Sequence, residues 1–156
     1  MSITIRAARL GDAPTLVDFN AAMALETEHL TLDRDILSRG VRAGLADLAK
    51  ARYFVAETDG RIVGQLMLTL EWSDWRDGEI WWIQSVYVHA DFRRRGVFKG
   101  LYKYVEQLAR TSGAVGLRLY VEKHNLAAQS TYARLGMRMS EYLVMEDLRL
   151  RDGKSK

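Results

Sequence analysis

Val86-Tyr87-Val88-His89-Ala90-Asp91-Phe92-Arg93-Arg94-Arg95-Gly96-Val97-Phe98-Lys99-Gly100 reads as a buried strand that runs into a basic turn and then into a helix. Four cations, Arg93, Arg94, Arg95 and Lys99, lie in or just before the first turn of that helix, with no Asp or Glu inside it. A helix N-terminus carries about half a positive charge, so cations placed there are mildly unfavourable. A bound polyanion reverses that balance, and phosphate is the commonest one. The stretch is an anion site.

The chain around it reads as mixed α/β. Upstream, Ile3 to Ala7 alternates like a strand, and a helix with Pro14 in its first turn is expected from Asp12 to about Glu26. A second helix, Asp33 to Leu48, places Ile36, Leu37, Val41, Leu45 and Leu48 at helical spacing. Tyr53 to Glu57 and Arg61 to Glu71 flank Asp59-Gly60, a two-residue hairpin turn. Glu79 to Val88 is a nearly all-apolar strand, expected to be buried on both faces. Downstream, the helix from Gly96 to about Thr111 stripes Val97, Leu101, Tyr104, Val105 and Leu108. Gly116 to Glu122 alternates, Asn125 to Leu135 is a short helix stopped by Gly136, and Tyr142 to Leu148 is a final expected strand. Residues 1–150 form the expected domain and 151–156 a polar tail.

Composition removes several kinds of chemistry. The 156 residues suit one core, and an apolar content of 48% is that of a globular chain. Cysteine is absent, which excludes disulfides, thiolate metal sites and a Cys nucleophile. His29, His89 and His124 have no metal-type spacing, so no metal is expected. No apolar run approaches the roughly 20 residues of a membrane span, and the first residues show no signal-peptide pattern. The cytoplasm is the expected location, with no membrane partner. A net charge of +3 permits nucleic-acid binding, but the basic residues are dispersed among acids outside Arg93 to Lys99. That cluster suits one nucleotide cofactor, and no nucleic-acid partner is expected.

A second motif follows the first. Asn125 is a good helix cap, and Tyr132, seven residues on, returns to nearly the same face. Arg93-x-x-Gly96 after a buried strand, then Asn125-x-x-Ala128-x-x-x-Tyr132-x-x-x-Gly136, resembles the GNAT superfamily of acetyl-CoA-dependent N-acetyltransferases. The resemblance covers the strand order of nearly the whole chain. Around Glu71 to Val88 it is also similar to the polyamine (spermidine/spermine) branch.

The resemblance implies a GNAT-like α/β fold with a central mixed, mostly antiparallel, twisted sheet, flanked by helices and splayed between its central strands at a bulge near Ser85 to Val86. It implies acetyl-CoA as donor, with its pyrophosphate on the amides of Arg94, Arg95, Gly96, Val97, Phe98 and Lys99 after Arg93. Val86, Tyr87 and Val88 would line the pantetheine arm, and an amide at the bulge would hold the oxyanion. Asn125 and Ala128 would contact the arm, and Tyr132 would protonate the leaving thiolate. Two positions depart from the family pattern. Phe98 stands where a small residue is usual, so its ring must turn inward for its amide to serve. Gln84 stands where the polyamine enzymes carry an acid, and an amide cannot act as base.

The acceptor is expected to be the primary amine of a small cationic molecule, acetylated by direct attack in a ternary complex. Glu26 and Glu28 are candidate bases, with Glu79 as an alternative. Glu26, Glu28, Trp72, Trp75 and Gln84 are candidate acceptor contacts, the carboxylates and indoles forming one mouth. Each residue also has a plainer role: Tyr132 as a packed aromatic, Asn125 as a cap, the Trp residues as sheet packing. A catalytically silent CoA-binding regulatory module is the rival from another class, and peptide or protein amines are alternative acceptors. A homodimer is admitted.

Overall fold

The computed structural model describes residues 1–151, so all of the expected tail except Arg151 lies outside the described residues. The chain falls into two compact units, Met1–Tyr120 and the segment from Val121 onward. The first unit contains β1 (Thr4–Ala7), α1 (Ala13–Glu28), α2 (Arg34–Ala46), β2 (Arg52–Thr58), β3 (Arg61–Ser73), β4 (Gly78–Val88), α3 (Val97–Thr111) and β5 (Gly116–Leu119). The strands lie in sequence order, antiparallel throughout except for the parallel pair β4–β5. Parallel neighbours need a crossover, and α3 supplies it.

Local chemistry sets the ends of these elements. Pro14 sits in the first turn of α1, and His29 closes that helix in the left-handed region at φ 52°. The Asp33 carboxylate accepts from the amides of Asp35 and Ile36 at 2.9 and 3.0 Å and starts α2. Asp59 and Gly60, both at positive φ, make the β2–β3 turn. The expected α2 stripe is only half realised. Val41 is buried with Leu37 and Leu45 beside it, but Ile36 is exposed and Leu48 lies beyond the helix end at Ala46.

The sheet is covered on both faces by different helices. Ala13, Leu16 and Val17 of α1 and Val41 of α2 pack with Tyr53, Val55 and Met67 on one face. On the other, α3 seats against β3 at Gly64, where an added Cβ would lie 2.9 Å from Val97 Cγ1 and 3.3 Å from Leu101 Cδ1. Val97 is β-branched and stiff, so it cannot yield cheaply. Gly64→Ala is therefore expected to cost about 1–3 kcal/mol by overpacking, read from the midpoint of a urea unfolding curve.

Two sequence expectations fail. β4 is not uniformly buried: Ile80, Trp81, Ile83 and Tyr87 are buried, while Trp82, Ser85, Val86 and Val88 are half-buried and Glu79 and Gln84 exposed. An apolar run reports composition, whereas burial depends on where the covering helices end. Tyr142 to Leu148 forms no strand, and Leu143 and Met145 are 94% and 96% exposed. Alternation makes a strand only where a neighbour takes up its backbone hydrogen bonds.

In the second unit, α4 (Leu126–Arg134) begins at Asn125, whose Oδ1 accepts from the Ala128 amide at 3.1 Å. Gly136, at φ 98°, follows its end, and the Met137 amide returns to the Tyr132 carbonyl at 3.0 Å.

Candidate active site

β4 carries the site. It pairs with β5 only from Ile80–Gly116 to Ile83–Leu119 but continues to Val88. On the β3 side, Ile83 pairs with Leu68 and Ser85 with Met67, which leaves Gln84 as the extra residue of a β-bulge. The bulge thus falls one residue before the expected Ser85 to Val86. The His89 amide donates to the Val63 carbonyl at 2.9 Å. In an antiparallel ladder such bonding recurs at every second residue, so Tyr87 bonds towards β3 while the amides and carbonyls of Val86 and Val88 point away from it. That open edge is what an extended amide-containing arm needs.

The edge leads into the basic turn. Ala90–Phe92 forms a single 3-10 turn, then Arg94 and Gly96 adopt left-handed backbone at φ 60° and 83° before α3 starts at Val97. A hypothetical Cβ on Gly96 would meet nothing within 4 Å, so the helix start opens onto free space. Amides bent through left-handed residues at a helix N-terminus form an anion cradle, and these fit a pyrophosphate. Phe98 is half-buried and packs on Tyr102, with ring centroids 6.2 Å apart. Its ring therefore sits away from the mouth of the turn, as its amide requires.

The cations are less free than the sequence suggests. Arg95 lies 5.6 Å from the Phe92 ring centroid, and Arg61 lies 5.4 Å from the same ring. Arg93 turns to Glu26, with Nη2 donating to Oε2 at 2.6 Å. Its Nε donates to the Val88 carbonyl at 2.9 Å, and its guanidinium lies 5.4 Å from the Tyr87 ring centroid. The Tyr87 hydroxyl donates to the other Glu26 oxygen at 3.0 Å. The Arg93 hydrogen bond holds the Glu26 carboxyl below its ordinary pKa. Burial, then the facing Glu26, pushes the Tyr87 phenol up.

The expected acceptor mouth does not assemble. Residues two apart on a helix point about 200° apart, so Glu26 and Glu28 do not share a face. Trp72 pairs with Glu79 and Tyr87 with Gln65, seven residues apart along β3, or about 23 Å. From Gly64 onward, even-numbered β3 residues share the α3 face with Gly64, and odd-numbered ones share the α1–α2 face with Met67. Trp72 and its partner Glu79 thus lie on the α3 face, far along the hairpin from Glu26. Trp75, at the tip, is 85% exposed. Gln84, in contrast, is at the bulge, and its Nε2 donates to Thr69 Oγ1 at 2.6 Å.

Sequence reasoning missed the residues that share the α1–α2 face beyond the bulge. Arg118 Nη1 donates to Glu71 Oε2 at 2.7 Å and its guanidinium lies 5.9 Å from the Trp82 ring centroid. Tyr120 packs on Trp82 at 4.7 Å. Beneath the bulge, the fully buried Gln65 reaches Ser85 Oγ at 3.5 Å. Strand alternation read across β3, β4 and β5 together would have grouped them, but only once the register was known. In the second unit, Asn125 caps α4 and Tyr132 is half-buried, its phenol pushed up by burial and so kept protonated.

A strand with an open outer edge that feeds an anion cradle at a helix start is a frame for an acyl donor carried on a phosphorylated arm. Residues 19–137 match the acetyltransferase (GNAT) family, and the chain belongs to that family. It is accordingly an acyltransferase, and enzymes of the family take their acetyl group from acetyl-CoA. The chain is similar to a possible acetyltransferase from Clostridium difficile 630, with 44% identity, a TM-score of 0.88, and 94% of this chain and 97% of that one covered. A ribosomal-protein-alanine N-acetyltransferase from Brucella melitensis biovar Abortus 2308 shares the fold at 20% identity and TM-score 0.73, over 93% and 100% of the two chains. An aminoglycoside acetyltransferase from an uncultured soil metagenomic sample does so at 18% and 0.73, over 93% and 94%. No curated protein matches the sequence. Among the described residues no helix is long and apolar enough to cross a membrane, and no cluster of side chains suits a metal ion.

Proposed function

We propose that the protein transfers the acetyl group of acetyl-CoA to the primary amine of a small cationic molecule, by direct attack in a ternary complex. The observation that carries this reading is the unpaired edge of β4 from Gln84 to Val88, which ends at the left-handed turn Arg94–Gly96. The pantetheine arm would pair with the outward groups of Val86 and Val88, and the pyrophosphate would sit on the amides from Arg94 to Lys99. An amide at the bulge would stabilise the oxyanion. The C–N bond forms first, to give that tetrahedral oxyanion; the C–S bond then breaks as the carbonyl re-forms, and Tyr132 would give its proton to the departing sulfur.

A cationic acceptor is supported by the open face beyond the bulge. Trp82 already carries the Arg118 guanidinium beside its ring, the kind of contact a ligand cation makes, and Glu71 supplies a carboxylate beside it. The amine must lose a proton before attack. Glu26 is ionised and held by Arg93, and Glu28 lies on another face of α1, which leaves that role to a water.

A ligand that binds the native state stabilises it. Acetyl-CoA at about 100 times its Kd adds ~2.7 kcal/mol, a rise of roughly 5–10 °C in melting temperature for a chain of this size. No shift with saturating acetyl-CoA would sink the reading. Release of free CoA thiol from a panel of amines then identifies the acceptor.

A further inference from the structure

Glu26 has two bonds that join three parts of the first unit. The carboxylate lies in the last turn of α1, the Tyr87 hydroxyl comes from β4, and the Arg93 guanidinium comes from the turn before α3. Arg93 is held at both ends, because its Nε also occupies the Val88 carbonyl. That carbonyl is one of the outward-facing groups the donor's arm would pair with. The same guanidinium is the first cation of the phosphate turn. In this state Arg93 blocks part of the edge and spends its charge on Glu26.

We propose that Glu26 is a positioning residue whose hold on Arg93 is exchanged when the donor binds: Arg93 leaves Val88 and Glu26 as the arm pairs with β4, and the guanidinium turns to the phosphates. The inference rests on the proposed donor site and adds a regulation to it. In the free protein Glu26 holds the latch shut and ties the end of α1 to the turn. After exchange the carboxylate keeps only the Tyr87 hydroxyl, and the end of α1 is released beside a filled donor site.

The exchange has an unusual sign. A residue that merely props up the turn would weaken CoA binding when removed. A residue that competes with the donor for Arg93 would strengthen it. The pair is half exposed, with side-chain exposures of 44% and 42%, so a modest effect is expected. Glu26→Gln should tighten CoA binding about two- to fivefold by calorimetry. Loss of any acid near a phosphate site favours the anion, so the comparison is made in both backgrounds. In Arg93→Gln, the Glu26→Gln change should tighten CoA binding clearly less than in the wild-type background, because the competition for Arg93 is gone. Carbon-detected NMR of the wild-type Glu26 carboxyl should show its titration move upward when CoA saturates the protein, as the guanidinium that depresses it departs. Unchanged or weaker CoA binding in Glu26→Gln, equal tightening in both backgrounds, or a titration that ignores CoA overturns the exchange. If the wild-type protein binds no CoA at all, the donor-site reading fails instead.

Discussion

Gly96→Glu is expected to abolish CoA binding in a protein that still folds. Gly96 caps α3 at φ 83°, a conformation that costs a residue with a Cβ about 1–2 kcal/mol. The space above it is open, so a larger side chain meets no protein atom within 4 Å at its Cβ and the fold bears only the backbone strain. The donor bears far more. The new side chain would fill the cradle that the pyrophosphate enters and bring a carboxylate to a helix start built for an anion. A loss of at least about a hundredfold in affinity is anticipated, equivalent to ~2.7 kcal/mol. Calorimetry on a variant whose far-ultraviolet circular dichroism matches wild type is the check. CoA affinity that survives in that variant would place the phosphate site elsewhere.

Tyr132→Phe should lower turnover by about 10²–10⁴-fold while acetyl-CoA affinity stays near wild type. The change keeps the ring and removes only the hydroxyl. Burial raises the phenol above its ordinary pKa, so it remains protonated near neutral pH and can donate. Single-turnover release of CoA thiol separates this effect from product departure. Full turnover in the variant would mean that the ring is packing alone, or that the thiolate leaves unaided.

Many of the local elements, the turn of the proposed donor site among them, were legible in the sequence because they depend on short-range chemistry. Arg93 to Gly100 encodes a turn and a helix start, Asp59-Gly60 a hairpin, Asn125 a cap, and all of these form locally. The face around Trp82, the proposed acceptor side, was not legible because it depends on register. Glu26 and Trp72 look like partners only if the hairpin length and the alternation of β3 are ignored. Glu71, Arg118 and Tyr120 meet Trp82 only because β3, β4 and β5 align them, and no spacing rule within one segment records that. Tyr142 to Leu148 shows the same limit from the other direction, a strand-like pattern without a neighbour to make it one.

The bulge at Gln84 also changes the parity of β4. Before it, Trp82 shares the α1–α2 face with Thr69, so even-numbered residues point that way. After it, Ser85 and Tyr87 face the same side opposite Met67 and Gln65, and odd-numbered residues have taken over. A strand of uniform pleat would turn Val86 and Val88 under α1 and send the Tyr87 hydroxyl to the α3 side, out of reach of Glu26. It would also reverse which backbone groups look outward at the open edge. One inserted residue therefore sets two independent phases at once, the side chains that meet the helices and the peptide groups offered to a ligand. Absorbing Gln84 into a regular ladder, with β4 kept at its full length, would scramble both without altering its composition.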